Sequence, residues 1–135
     1  MRVFLDTNVL VSAFASRGLC ADLFELVLLE HDFVLGRNVL RELKKALRSK
    51  VKLSESRAAE IVDFVSGEEI LVVERSDPIE AALDADDALV LGEALAGEAE
   101  VFVTGDAALL ELGSAEGVPM VSPRRFWEIL RSIER

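Results

Sequence analysis

The chain has 135 residues, with 15 Lys and Arg against 25 Asp and Glu, a formal net charge of −10. That length suits one domain, expected to span residues 1–135, and a hydrophobic content of 51% excludes a disordered chain. A single cysteine, Cys20, and a single histidine, His31, exclude an internal disulfide, a Cys-based zinc or redox motif and a multi-His metal site.

In chain order, Arg2–Asp6 reads as a short buried strand around Val3-Phe4-Leu5. Helices are expected from Asn8 to about Ala15 and from Ala21 to Glu30, then a brief strand at Phe33–Leu35 closed by Gly36. Val39, Leu40, Leu43 and Leu47 fall at helical spacing with basic residues between them. Ser54 is placed to cap a helix that runs to about Val65 and stops at Gly67. Ile70–Val73 is continuously apolar and rich in β-branched residues, as a strand covered on both faces requires. Asp84–Asp87 opens a helix to about Ala96, with Gly97 as its stop. Val101–Val103 is a fourth strand, and Asp106 caps a short helix through Leu112. Val118, Met120 and Val121 give a fifth strand, which Pro119 favours at an edge. Ser122-Pro123 starts the last helix, which runs to near Ile133.

Strands separated by helices predict an α/β chain. The expected architecture is a three-layer α/β/α sandwich around a central parallel sheet of about five strands. Apolar runs fall short of the ~20 residues needed to cross a bilayer. The N-terminal MRVFLDTN reaches Asp6 too early for a signal-peptide apolar region. The expectation is a soluble, cytoplasmic protein without a membrane partner.

Charge is unevenly spread. Residues 37–57 hold eight basic side chains against Glu42 and Glu55, whereas residues 68–116 hold 14 acids and only Arg75. A basic helix on an acidic protein can hold a phosphate backbone, and it can equally be a solvated face. Aromatic residues are only 6%, which does not support recognition led by base stacking.

In parallel sheets ligands bind beyond the carboxyl ends of the strands. Asp6 follows the first strand, in Asp6-Thr7-Asn8, and Asp106 follows the fourth, in Thr104-Gly105-Asp106. Asp84, Asp86 and Asp87 open the preceding helix, and Glu42 lies on the basic helix. Converging carboxylates raise one another's pKa, and a divalent cation removes that penalty. Oxygen-only ligands suit Mg²⁺ or Mn²⁺. Each acid also has a purely structural role open to it. Asp84 and Asp106 are natural helix caps, Asp86 and Asp87 suit a helix dipole, and Glu42 can pair with Arg41 or Lys45. Asp6 is the exception, because an Asp leaving an apolar strand beside a second polar residue is hard to explain by packing.

These residues carry a resemblance. Phe4-Leu5-Asp6-Thr7-Asn8-Val9-Leu10, Val39-Leu40-Arg41-Glu42-Leu43, Asp84-Ala85-Asp86-Asp87-Ala88-Leu89-Val90-Leu91 and Val103-Thr104-Gly105-Asp106-Ala107-Ala108-Leu109-Leu110 resemble, in this order, a PIN-domain ribonuclease. Val121-Ser122-Pro123-Arg124-Arg125-Phe126 extends the match, and the likeness is greatest to small prokaryotic PIN toxins of toxin–antitoxin pairs.

The resemblance implies a divalent-metal-dependent endoribonuclease. Its four acidic positions fall on Asp6, Glu42, Asp87 and Asp106, with metal on Asp6, Asp87 and Asp106. Asn8 and Thr104 fall on supporting positions, and Asp86 is a helper or a cap. No Ser–His or Cys–His pair exists for a covalent intermediate, so water attack is the simpler route, leaving a 5′-phosphate and a 3′-hydroxyl. Arg41, Lys44, Lys45 and Arg48 are the candidates for RNA backbone contact. A small antitoxin and a second copy of the chain are the further partners implied. The alternatives are a non-catalytic PIN-fold binding or regulatory module and a housekeeping RNA-processing nuclease. A receiver domain is disfavoured, because no Lys follows Lys52.

Overall fold

The computed structural model describes residues 1–67, 70–73 and 84–133. In chain order these form β1 (Arg2–Leu5), α1 (Thr7–Ala15), α2 (Leu19–Glu30), β2 (Asp32–Gly36), α3 (Arg37–Ser49), α4 (Glu55–Val65) and β3 (Leu71–Val73). There follow α5 (Ala85–Ala96), β4 (Val101–Val103), α6 (Ala107–Leu112), β5 (Ser114–Ala115), β6 (Val118–Val121) and α7 (Pro123–Ile133). The strands form one sheet in the order β3-β2-β1-β4-β6-β5. All pairings are parallel except that between β5 and β6.

The sheet is covered on both faces. Val3, Phe4 and Leu5 of β1, Phe33, Val34 and Leu35 of β2, and Val101, Phe102 and Val103 of β4 are all buried. Successive strand side chains point to opposite faces, so burial of every one requires helices on each side. Phe4 and Phe102, paired in register, stack with ring centroids 5.0 Å apart. Gly97 closes α5 where a Cβ would collide with Cγ1 of Val34, so glycine lets this helix end sit against β2.

Every expected element is present, with shifted boundaries. β1 stops at Leu5 because the Asp6 carboxylate turns back to cap α1. α3 starts at Arg37, two residues ahead of its apolar run. Among the described residues the sheet has six strands rather than about five. The extra one, β5, is a two-residue antiparallel strand set between Gly113 and Gly117, both at positive φ. Pro119 therefore does not lie on the outermost strand as expected, since β6 is flanked by β4 and β5. β5 is so short that the missing Pro119 N–H interrupts little pairing. The end of the third strand at Glu74-Arg75 lies outside the described residues.

The sheet order positions the site. From β1 the chain moves outward through β2 and β3, then returns to the other side of β1 as β4. The switch point thus lies between β1 and β4, where a crevice opens at the strand carboxyl ends. Leu5 pairs with Val103, so Asp6 and Thr104 are the next residues on adjacent strands.

Candidate active site

Asp6 leaves β1 at the switch point and its backbone N–H donates to the Val103 carbonyl at 2.9 Å. Its side chain is held from three directions. Oδ1 accepts from the Thr7 N–H at 2.8 Å, and Oδ2 accepts from Thr104 Oγ1 at 2.8 Å and from Asn8 Nδ2 at 3.4 Å. Thr104 is fully buried and Asp6 is 9% exposed, so these bonds lie in a region of low dielectric.

The same small residues tie in Asp106. Thr104 Oγ1 accepts from the Asp106 N–H at 3.0 Å, and Asn8 Oδ1 accepts from the Gly105 N–H at 3.0 Å. Asp106 Oδ1 then caps α6 through the Ala108 and Leu109 amides at 2.8 and 3.4 Å. Across the cleft, Glu42 of α3 accepts from Thr7 Oγ1 at 2.8 Å, which links α3 to α1. Asp84 caps α5 by accepting from the Asp87 N–H at 2.8 Å, leaving Asp86 and Asp87 to face the cleft.

Asp6, Asn8, Glu42, Asp86, Asp87 and Asp106 line one cleft of about 630 Å³. Its remaining wall includes Lys45, Ser49 and Lys50 of the basic segment. Of the other basic residues expected here, Arg41 lines a smaller adjoining cavity with Glu42, Lys45 and Asp86. Lys44 and Arg48 do not line the cleft, and Arg48 pairs instead with Glu55 at 3.9 Å.

The acids are electrostatically strained. Burial pushes the Asp6 carboxyl above its usual range, helped by Glu42 and Asp106 and opposed by the Thr104 and Thr7 hydrogen bonds. The Asp87 carboxyl is pushed up to about 6, first by burial and then by Asp84, Asp106, Asp6 and Glu42. None of the ion pairs among the described residues involves Asp6, Glu42, Asp87 or Asp106. Hard oxygen donors and uncompensated like charge fit a divalent cation. As the side chains now lie, no three acids among the described residues are grouped tightly enough to enclose one ion.

The PIN domain family model matches residues 2–108. The chain belongs to the PIN domain family. That match ends just after Asp106, so it spans the strands, helices and acids that build the cleft. Among solved structures, the chain resembles VapBC2 from Rickettsia felis bound to a DNA fragment from its promoter, at 17% identity and a TM-score of 0.63. The match covers 90% of this chain and 98% of that one. It also resembles VapBC-1 from nontypeable Haemophilus influenzae, at 15% identity and a TM-score of 0.65, covering 92% and 99% of the two chains. No curated relative matches in sequence. The likeness in fold thus extends over nearly the whole of this chain and of each matched chain.

Three features in or near the site have no clear mark in the sequence. Thr7 holds Glu42, yet it stands inside the Asp6-Thr7-Asn8 motif without an evident task of its own. Lys50 and Ser49 reach the cleft from the end of α3, where basic residues are too many to rank by spacing. Glu93, a buried acid of α5, contacts the start of α3. Its signal is its isolation in the apolar run Ala88–Ala96.

Proposed function

We propose that this PIN protein is a divalent-metal-dependent endoribonuclease and the toxin of a toxin–antitoxin pair. The observation that carries the reading is the cleft itself. Five carboxylates from four parts of the chain line it without a cationic side chain paired to any of them among the described residues, and Lys45 and Lys50 share its wall. A Mg²⁺ or Mn²⁺ ion bound by Asp6, Asp87 and Asp106 would neutralise phosphate charge and lower the pKa of water. Thr104 and Asn8 orient Asp6, and Thr7 orients Glu42, so side-chain freedom is spent before substrate arrives. Glu42 would orient the attacking water or complete a second cation site. Lys45 and Lys50 hold the sugar–phosphate backbone against the acidic floor, which would otherwise repel it.

The toxin assignment draws on the fold likeness to VapBC toxin–antitoxin complexes. It also draws on an exposed aromatic side chain that packs on α1, the helix that follows Asp6. Phe64 of α4 is 61% exposed and lies edge-on to Phe14 of α1 and Phe24 of α2. Val11, one turn before Phe14, lines the cleft.

The test is incubation of purified protein with mixed structured and single-stranded RNA, with Mg²⁺, Mn²⁺ or EDTA, followed by mapping of the product ends. Metal-dependent cuts with 5′-phosphate and 3′-hydroxyl ends are expected. Cuts in EDTA, or 2′,3′-cyclic phosphate ends, would overturn the proposed chemistry.

A further inference from the structure

Helix α3 lacks a cap of its own. Its N-cap residue is Gly36, which offers no side chain, and its first turn holds no acid. The exposed amides at a helix start need acceptors, and a negative charge there is favoured by the helix dipole. Glu93 supplies the acceptor from another helix. It is 2% exposed, and its Oε2 accepts from the Asn38 N–H at 2.9 Å. A Cβ at Gly36 would fall well inside contact with the Glu93 carboxyl carbon and Oε1. Glycine at 36 thus vacates the space that the glutamate fills.

The contact joins the two helices that matter most across the cleft. α5 carries Asp87 at its start and Glu93 in its middle, while α3 carries Glu42. Burial pushes the Glu93 carboxyl above its ordinary range, with Glu42 adding to the rise and the amides of Asn38, Arg37 and Val39 opposing it. Glu93 Oε1 has no hydrogen-bond partner among the described residues, so the Asn38 amide is the principal anchor.

We propose that Glu93 is a positioning residue for the acidic cleft: it caps α3 from α5 through the space left by Gly36, and thereby seats Glu42 against Thr7 and opposite Asp87. This rests on the reading of Glu42 and Asp87 as parts of one cation-binding cleft. The pair also predicts a swap. A serine at 36 could cap α3 through its own hydroxyl, but only once the glutamate is gone.

The experiment compares Gly36→Ser, Glu93→Ala and the double variant, by thermal unfolding and by Mn²⁺ titration at a temperature where all are folded. Each single variant is expected to lower the unfolding midpoint, and the double variant to exceed both. Glu93→Ala is expected to weaken Mn²⁺ binding by ~10-fold or more, as loss of a group supporting metal ligands does, and Gly36→Ser/Glu93→Ala to recover most of it. Additive midpoints would overturn the cap. Unchanged Mn²⁺ affinity in folded Glu93→Ala would overturn the positioning role while leaving the cation site standing. Absence of Mn²⁺ binding by the unaltered protein would overturn the cation site and the positioning role together, with the thermal comparison still deciding the cap.

Discussion

Thr104 Oγ1 donates to Asp6 Oδ2 at 2.8 Å across 98 residues of chain, and both side chains are buried. The bond exists because β1 and β4 are parallel neighbours in register, so the residues that leave them meet. It fixes one carboxylate oxygen and, through the Asp106 amide on the same hydroxyl, the start of the next acidic loop.

Thr104→Val is the direct probe of that bond. The methyl groups fit, but the donor is lost and a buried carboxylate oxygen keeps only the long Asn8 contact. The expected loss is about 1.5–3 kcal/mol of unfolding free energy, as for hydrogen bonds to charged groups. Thr104→Ser should keep most of it. Urea unfolding at pH 7 measures both.

Asp87 makes the protein respond to pH in opposite ways with and without metal. Its carboxyl is raised to about 6 against an ordinary value of 3.8, so the folded state binds a proton that the unfolded chain releases. Without metal, this group therefore favours unfolding as pH rises through the window from about 4 to about 6. Metal needs the deprotonated carboxylate, so cation affinity should fall as pH drops below about 6. Thermal unfolding between pH 4 and 7.5, with and without Mn²⁺, should show metal stabilisation growing with pH. Stabilisation that is flat with pH would contradict the role given to Asp87.

The basic wall should be uneven in its effect on RNA. Lys45 and Lys50 line the cleft, whereas Lys44 and Arg48 do not. Replacing Lys45 and Lys50 together by Ala should lower RNA affinity and reduce the slope of log K against log salt by roughly 1–2. The same change at Lys44 and Arg48 should have less effect on both. Fluorescence anisotropy with a labelled single strand, in EDTA to prevent cleavage, separates the two pairs.

Gly97→Ala tests the packing that positions α5. A Cβ there meets Cγ1 of Val34, a residue of the buried strand β2. Overpacking of this kind costs about 1–3 kcal/mol, and it should lower the unfolding midpoint without altering the acids themselves.

Much of this architecture is legible in the sequence, because its signals are local. Short apolar runs bounded by caps mark the strands, and Asp6 and Thr104 stand out because each follows a strand directly, with Asn8 and Asp106 two residues further on. β5 is not legible, since two residues between glycines carry no periodicity. Glu93 is not legible as a cap, because its partner is a main-chain amide 55 residues away and its room is made by a missing Cβ. The basic segment announces a charged face, but only the end of α3 against the cleft decides that Lys50 belongs to the site and Arg48 to Glu55.

The central claim is that the acidic cleft holds a divalent cation through Asp6. Isothermal titration of the metal-free protein with Mn²⁺ at pH 7.5 tests it, beside Asp6→Asn and Asp84→Asn. Asn at 84 can still cap α5, so that variant should bind Mn²⁺ much as the unaltered protein does. Asp6→Asn should lose binding while remaining folded by circular dichroism. Equal binding by Asp6→Asn and the unaltered protein, or no binding by either, would contradict the account.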